Sequence, residues 1–311
     1  MIQCAAILGS GFGLYGYLPA LIKCGAKEVL LPQRYREKFS VRQELQDFSN
    51  KIHWVADEKV ALAQADGMVT ALRPDMQAEY IALCLEAQHI KYLLLEKPLA
   101  PSPAEAITLF DALVASGKYV RIGYIFGFLA WSESLASFLK KEAPQTGTLT
   151  IHWHFMAHHF QNDVATWKRD HAAGGGVLRF YGIHLIALLA AMGYSEAVQS
   201  TLFTDRGDVA SRWSATFTGA SVPPCIVDVD TCTDTLLFQI EYSEAGRVTT
   251  LVDLPDPFSE MKVPEHGLDR RIPLLVKLCE SFNVDSRHIY PWYRATLDLW
   301  SDVECMITSA R

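Results

Sequence analysis

Apolar and polar positions divide the chain into two patterns. Up to about residue 123, short apolar runs alternate with amphipathic stretches. Residues 2–8, 28–31, 53–55, 67–72, 91–97 and 119–123 read as strands. Residues 18–24, 60–64, 77–88 and 102–116 read as the helices between them, the last with Ser102 as N-cap. Strands that are apolar throughout are those buried on both faces, and their alternation with helices predicts a doubly wound parallel sheet. After about residue 124 the pattern changes. A helix is predicted over 126–140, a strand over 148–155, and a helix over 177–192 opened by Ala173-Gly174-Gly175-Gly176. Strands follow at 198–204, 212–218, 225–231, 235–242 and 247–253, then helices at 273–281 and 292–309. This second half predicts an open, mostly antiparallel sheet with helices on one face. The expected domains are 1–123 and 124–311.

Composition narrows the function classes. The chain has 311 residues, half of them hydrophobic, enough for a substantial core in each of two domains. A net charge of -7 argues against a nucleic-acid binder, and there is no basic block. The seven cysteines form no CxxC and read as reduced thiols. Met1 leads almost directly into a strand and leaves no room for a signal peptide, so a cytoplasmic protein is expected. The apolar stretch 183–192 is too short to span a bilayer, so no membrane partner is expected.

Two stretches of the first half carry candidate chemistry. Lys91-Tyr92-Leu93-Leu94-Leu95 runs into Glu96-Lys97-Pro98. Proline cannot donate to a ladder, so Glu96 and Lys97 fall at the carboxyl end of a buried strand, the edge where open α/β sheets bind ligands. Solvated charges at a strand end are the competing reading. Gly9-Ser10-Gly11-Phe12-Gly13-Leu14-Tyr15-Gly16 follows the first strand and precedes a helix, the context a dinucleotide fingerprint requires. Two registers are open, Gly9-x-Gly11 and Gly11-x-Gly13-x-x-Gly16, and the first is preferred because it begins at the strand end. Pro32-Gln33-Arg34-Tyr35-Arg36 stands where an NAD-binding domain carries its ribose-binding acid. A guanidinium there can clamp a 2′-phosphate, which favours NADP(H) with NAD(H) possible, and a solvated basic turn is the alternative. The cofactor-binding candidates are Gly9, Gly11, Phe12, Gly13, Arg34, Leu72, Arg73, Glu96 and Lys97.

The chain resembles the Gfo/Idh/MocA family, the glucose–fructose oxidoreductase and inositol dehydrogenase relatives. The likeness rests on Gly9-Ser10-Gly11 with Leu18-Pro19-Ala20-Leu21, then Glu96-Lys97-Pro98-Leu99, Trp167-Lys168-Arg169-Asp170, and Gly174-Gly175-Gly176 running on to Gly182-Ile183-His184-Leu185-Ile186. It implies a Rossmann domain, a second domain with an open sheet, and a homodimer or homotetramer built on that sheet. It implies hydride transfer between NAD(P) and a sugar or polyol carbon. Lys97 and His184 match the family's catalytic lysine and histidine, and Tyr181 beside them is a third catalytic candidate; the substrate-binding candidates are Lys97, Tyr124, Trp167, Tyr181 and His184. Two departures stand out: Phe180 replaces the aspartate four residues before the histidine, and Ala187 replaces a later acid. They keep open the alternative of a non-catalytic cofactor-binding regulator or scaffold. His152, His154, His158, His159 and His171 cluster in sequence, and His152 and His154 share a strand face. No cysteine or acid completes a familiar ligand spacing, so no metal is expected.

Overall fold

The computed structural model describes every residue except 142, 144, 207–208, 263–266, 285 and 311. The chain divides into two compact units. The first comprises Met1–Ala100, Thr108–Ile125 and Met261–Tyr290, the second Pro101–Ile107, Phe126–Glu260 and Pro291–Arg311.

The first unit is built on six parallel strands: β1 (Cys4–Leu8), β2 (Glu28–Pro32), β3 (Ile52–Val55), β4 (Gly67–Thr70), β5 (Tyr92–Leu95) and β6 (Tyr119–Ile122). Their order is β3-β2-β1-β4-β5-β6. Ala5 to Leu8 and Leu93 to Leu95 are wholly buried, as strands covered on both faces must be. The order reverses between β1 and β4, and in open α/β sheets that reversal marks the ligand crevice.

The segment 261–290 packs in this unit, whereas the sequence pattern had grouped it with the second half. Two contacts explain it. The helix Ile272–Glu280 lies on the helix Leu18–Lys23, where the Cys24 thiol donates to the Val276 carbonyl at 3.3 Å. Arg121, buried on β6, donates from Nε to the Ser281 hydroxyl at 2.5 Å.

The second unit holds a seven-stranded mixed sheet: β7 (Thr148–Met156), β8 (Glu196–Arg206), β9 (Val209–Gly219), β10 (Val222–Asp230), β11 (Cys232–Glu244), β12 (Arg247–Leu254) and β13 (Ile307–Ala310). The order is β12-β11-β7-β10-β9-β8-β13. Most neighbours are antiparallel, but β7 pairs with β10 and β8 with β13 in parallel. Period-two alternation buries Leu149, Ile151 and Trp153 with Trp213, Ala215, Phe217 and Phe238. Thr150, His152 and His154 point to the opposite face.

Several predicted helices are shorter than expected, two of them instructively. The terminal helix spans Tyr290–Cys305, and the chain then continues as β13, with Ile307 in register with Ser200. Four residues are too few to show a strand period, and only the exposed edge of β8 selects it. The helix expected from residue 126 begins with a 3₁₀ turn over Phe126–Phe128 and becomes α-helical over Ala130–Lys141. Among the described residues, no helix is long and apolar enough to cross a membrane.

Candidate functional site

In the first unit the glycine turn starts where β1 ends. A Cβ on Gly9 would stand 2.3 Å from the Ala71 carbonyl oxygen, and φ is +120° there, so only glycine lets β1 leave the sheet so close to β4. This supports the register that begins at Gly9. Gly11 differs, because a Cβ there would meet nothing within 4 Å. Its exposed backbone borders open space of the kind a phosphate group needs. Gly13 follows, and the chain is wound as a π-helix over Gly13–Tyr17. Phe12 is half-buried, edge-on to Tyr15 and Tyr17, with the Arg271 guanidinium 4.4 Å from its ring centroid.

The Glu96-Lys97-Pro98 turn is fixed from below by Gln77, a wholly buried amide on the helix Pro74–Glu86. Gln77 Nε2 donates to the carbonyls of Glu96 (2.8 Å) and Leu99 (3.1 Å). Its Oε1 accepts from the Glu96 N–H at 2.9 Å and from the Thr70 hydroxyl. The Tyr17 hydroxyl donates to Glu96 Oε1 at 2.5 Å. Burial, then the Glu96 carboxylate, pushes the Tyr17 phenol well above its ordinary range, so it remains a donor. Lys97 is half-buried and its bond to Pro98 is cis. Leu72 is half-buried; Arg73 is exposed and paired with Asp75 at 2.7 Å. Tyr124 is buried at the end of this unit's second segment.

Arg34 has a partner that the sequence did not reveal. Its Nε donates to Glu58 Oε1 at 2.8 Å, while its side chain stays 60 % exposed and that of Glu58 is 8 % exposed. Tyr35 completes the group: its hydroxyl donates to Glu58 at 2.6 Å and accepts from the Gly9 N–H at 3.0 Å. Burial first, then Glu58, pushes Tyr35 up to about 12. Four residues after Arg34, Lys38 Nζ donates to the Ser10 hydroxyl at 3.0 Å. Lys38 and Ser10 were not among the sequence candidates. A basic group touching the glycine turn is the signal that could have found them.

In the second unit the glycine run is tied to the Trp167-Lys168-Arg169-Asp170 turn, where the Gly175 N–H donates to the Asp170 carbonyl at 2.8 Å. A π-helix over Val177–Gly182 follows, then the helix Ile183–Ala191. π-turns are frequent at functional sites, and this one carries Phe180 and Tyr181. Gly182 lets the helix settle on the sheet, since a Cβ there would lie 2.7 Å from the buried Trp213 ring. His184 is thereby buried, its ring stacked on Phe126 at 4.7 Å and 8°. Tyr181 lies edge-on to Phe155 (5.1 Å) and Phe180 (4.8 Å), near Trp153. Burial raises the Tyr181 phenol far above its ordinary value, so it is protonated at neutral pH.

Phe180 is packed, not vacant: Trp167 meets its ring edge-on at 5.5 Å and Lys168 Nζ sits 5.1 Å from its centroid. Ala187 is buried, and its carbonyl accepts from Trp292 Nε1 at 2.7 Å. His159, which borders Tyr181, is lowered to about 4 by burial and then by Arg169 and Lys168, so it is neutral. A cavity of about 900 Å³ opens beside Phe160, Arg169, Ser211 and Cys232, and Trp167, Tyr181 and His184 are not among its lining residues.

No family model matches the sequence, and no curated protein matches it significantly. Solved structures do match over nearly the whole chain. The WlbA dehydrogenase from Bordetella pertussis, in complex with NADH and UDP-GlcNAcA, has a TM-score of 0.77 at 14 % identity, covering 98 % of this chain and 96 % of that one. KijD10, a 3-ketoreductase from Actinomadura kijaniata in complex with NADP and TDP-benzene, has a TM-score of 0.73 at 14 % identity, with 98 % of each chain covered. A myo-inositol dehydrogenase from Corynebacterium glutamicum ATCC 13032 has a TM-score of 0.71 at 12 % identity, covering 99 % and 97 %. The fold is therefore that of the Gfo/Idh/MocA-type dehydrogenases, and at these identities the likeness is one of fold.

Proposed function

We propose that the protein is a nicotinamide-dependent oxidoreductase that moves a hydride to or from a CH–OH carbon of a sugar, sugar derivative or polyol. The observation that carries this reading is the Glu96-Lys97-Pro98 turn, pinned by Gln77 at the carboxyl end of β5 on a fold shared with nicotinamide-binding sugar dehydrogenases. When bound, the cofactor accepts or supplies the hydride. Gly9, Gly11, Phe12 and Gly13 take its pyrophosphate, and Leu72, Arg73, Glu96 and Lys97 border the rest. Lys97 places a cation at the developing alkoxide. His184 removes or returns the hydroxyl proton. Tyr124, Trp167 and Tyr181 contact the substrate, Tyr181 through its protonated phenol. Mass-spectrometric identification of a nicotinamide cofactor retained by the purified protein tests the binding half of the reading. A cofactor-binding regulator without turnover is the second reading, favoured by the apolar packing of Phe180 and Ala187.

NADP(H) is the preferred cofactor in this account. Arg34 keeps an exposed guanidinium although Glu58 holds one side of it, and Lys38 adds a second cation at Ser10. A charge-assisted hydrogen bond contributes roughly 1.5–3 kcal/mol, about ten- to a hundredfold in affinity. Fluorescence titration should show NADP(H) binding tighter than NAD(H) by that order, and Arg34→Ala should erase the difference. Equal affinities in the unaltered protein remove Arg34 from the account.

A homodimer or homotetramer is expected, formed through the sheet face that carries Thr150, His152 and His154. Ile226 and Val248 on that face are 39 % and 61 % exposed. Interfaces need be no more apolar than ordinary surface, so a mixed face suffices. Light scattering at micromolar concentration should give at least twice the chain mass, and Ile226→Arg should lower it. A monomer counts against this assembly.

A further inference from the structure

We propose that His152, His154 and Asp228 form a binding site for a divalent transition-metal ion of the zinc type. The two histidines are two residues apart on β7 and so face the same way. β10 runs parallel to β7 with Asp228 in register with His152, which brings in an acid that no spacing within the histidine cluster could supply. One donor atom from each of the three residues lies within 4.8 Å of the others. His154 Nε2 is 2.8 Å and His152 Nδ1 3.8 Å from the same oxygen, Asp228 Oδ2. Donors bound about 2.0–2.2 Å from a tetrahedral ion lie roughly 3.3–3.5 Å apart, so the two distances bracket the required spacing. The His152 and His154 donors lie within 4.8 Å of each other, and rotation of the imidazoles would have to bring them to the same spacing.

The donor chemistry selects the ion. Two imidazoles and one carboxylate suit zinc or cobalt and leave a fourth position open, whereas magnesium and calcium need mostly oxygen. Arg212 Nε donates to the other carboxylate oxygen, Oδ1, at 2.9 Å, which fixes the carboxyl and turns Oδ2 toward the histidines. Metal ligands commonly have such outer partners. In the single chain the His152 and His154 side chains are 31 % and 22 % exposed, so an ion can enter before assembly covers that face. The bound ion would clip β7 to β10 at the centre of the sheet. The inner face, with Trp153 and the Tyr181 cluster, is on the other side of the same strand.

Full-length protein stripped with a chelator and titrated with cobalt(II) tests the site, because cobalt develops visible absorption in a low-coordinate nitrogen and oxygen environment. Zinc affinity is then read by competition. One equivalent per chain should saturate the signal, and zinc should displace it. His152→Gln and His154→Gln should each weaken zinc by more than roughly a hundredfold, beyond the loss typical of an outer-shell partner. His53→Gln, an exposed histidine on β3, should leave binding unchanged. Thermal unfolding without metal shows whether the variants fold. If either histidine variant does not, the isosteric Asp228→Asn must weaken zinc instead. A cobalt titration with no saturable signal overturns the proposal, as does wild-type affinity in the folded variants.

Discussion

Lys97→Met and His184→Ala are each expected to lose turnover while still binding the cofactor. Methionine keeps most of the lysine volume, and the turn around Lys97 is held by Gln77 through backbone groups, so the fold should survive. In the proposed reaction the alkoxide charge facing Lys97 would exist mainly in the transition state. Its loss should therefore appear in kcat by about a hundred- to a thousandfold, with little change in KM. A positioned general base contributes about a hundred- to ten-thousandfold, which sets the expected loss for His184→Ala. His184 also stacks on Phe126, so a purely structural role has its own signature. It would lower thermal stability and leave the pH profile of the residual rate unchanged. A catalytic role removes the basic limb of proton transfer and changes that profile. Wild-type rates in both variants sink the hydride-transfer assignment.

Glu304→Ala is expected to destabilise the second unit by about 3–5 kcal/mol, the usual cost of leaving a buried charge without its partner. Glu304 receives Arg179 as a fork, Nε at 2.7 Å and Nη2 at 3.0 Å, and Trp300 Nε1 at 2.9 Å. Its carboxylate is also 3.3 Å from His171 Nε2, and both members of the ion pair are nearly buried. Arg179 in turn donates to the carbonyls of His171 (2.9 Å) and Pro101 (2.7 Å). The acid thus anchors the turn that carries Phe180 and Tyr181. Burial alone would raise its pKa, but hydrogen bonds from His171 and Arg179 outweigh burial and lower it to about 2. The folded value lies below the ordinary one. The stabilisation is therefore complete above about pH 4.5 and lost as the pH falls towards 2. Denaturant unfolding at neutral pH should show the loss, and it should shrink in acid. A variant as stable as the unaltered protein would contradict the hub.

The parallel sheet was legible because its strands are apolar on both faces and bounded by glycine or proline, as at Leu8-Gly9 and Lys97-Pro98. The alternation of Leu149, Ile151 and Trp153 with polar neighbours revealed the second sheet in the same way. What stayed hidden depends on partners distant in sequence. β13 is selected by the edge of β8, and the segment 261–290 by Leu18–Lys23 and Arg121. Glu96 and Lys97 could be nominated from their strand end, but Gln77 and Tyr17, which hold that turn, could not. An amide within a helix has no signature until the carbonyls it meets are known. Arg34 could be read as an isolated cation only while Glu58 was out of view. The same holds for Asp228, whose place beside His152 follows from strand register.

Turnover decides whether the protein is an oxidoreductase. The purified protein, given NADP or NAD in the oxidised form, is challenged with polyols, aldoses and nucleotide-linked sugars while reduced nicotinamide is followed by its near-ultraviolet absorbance. Reduced cofactor and the matching keto sugars test the reverse direction. At least one such pair should turn over, faster with the NADP form, and the signal should be lost in His184→Ala. Stoichiometric cofactor binding with no turnover of any pair in either direction would contradict this and leave the non-catalytic reading standing.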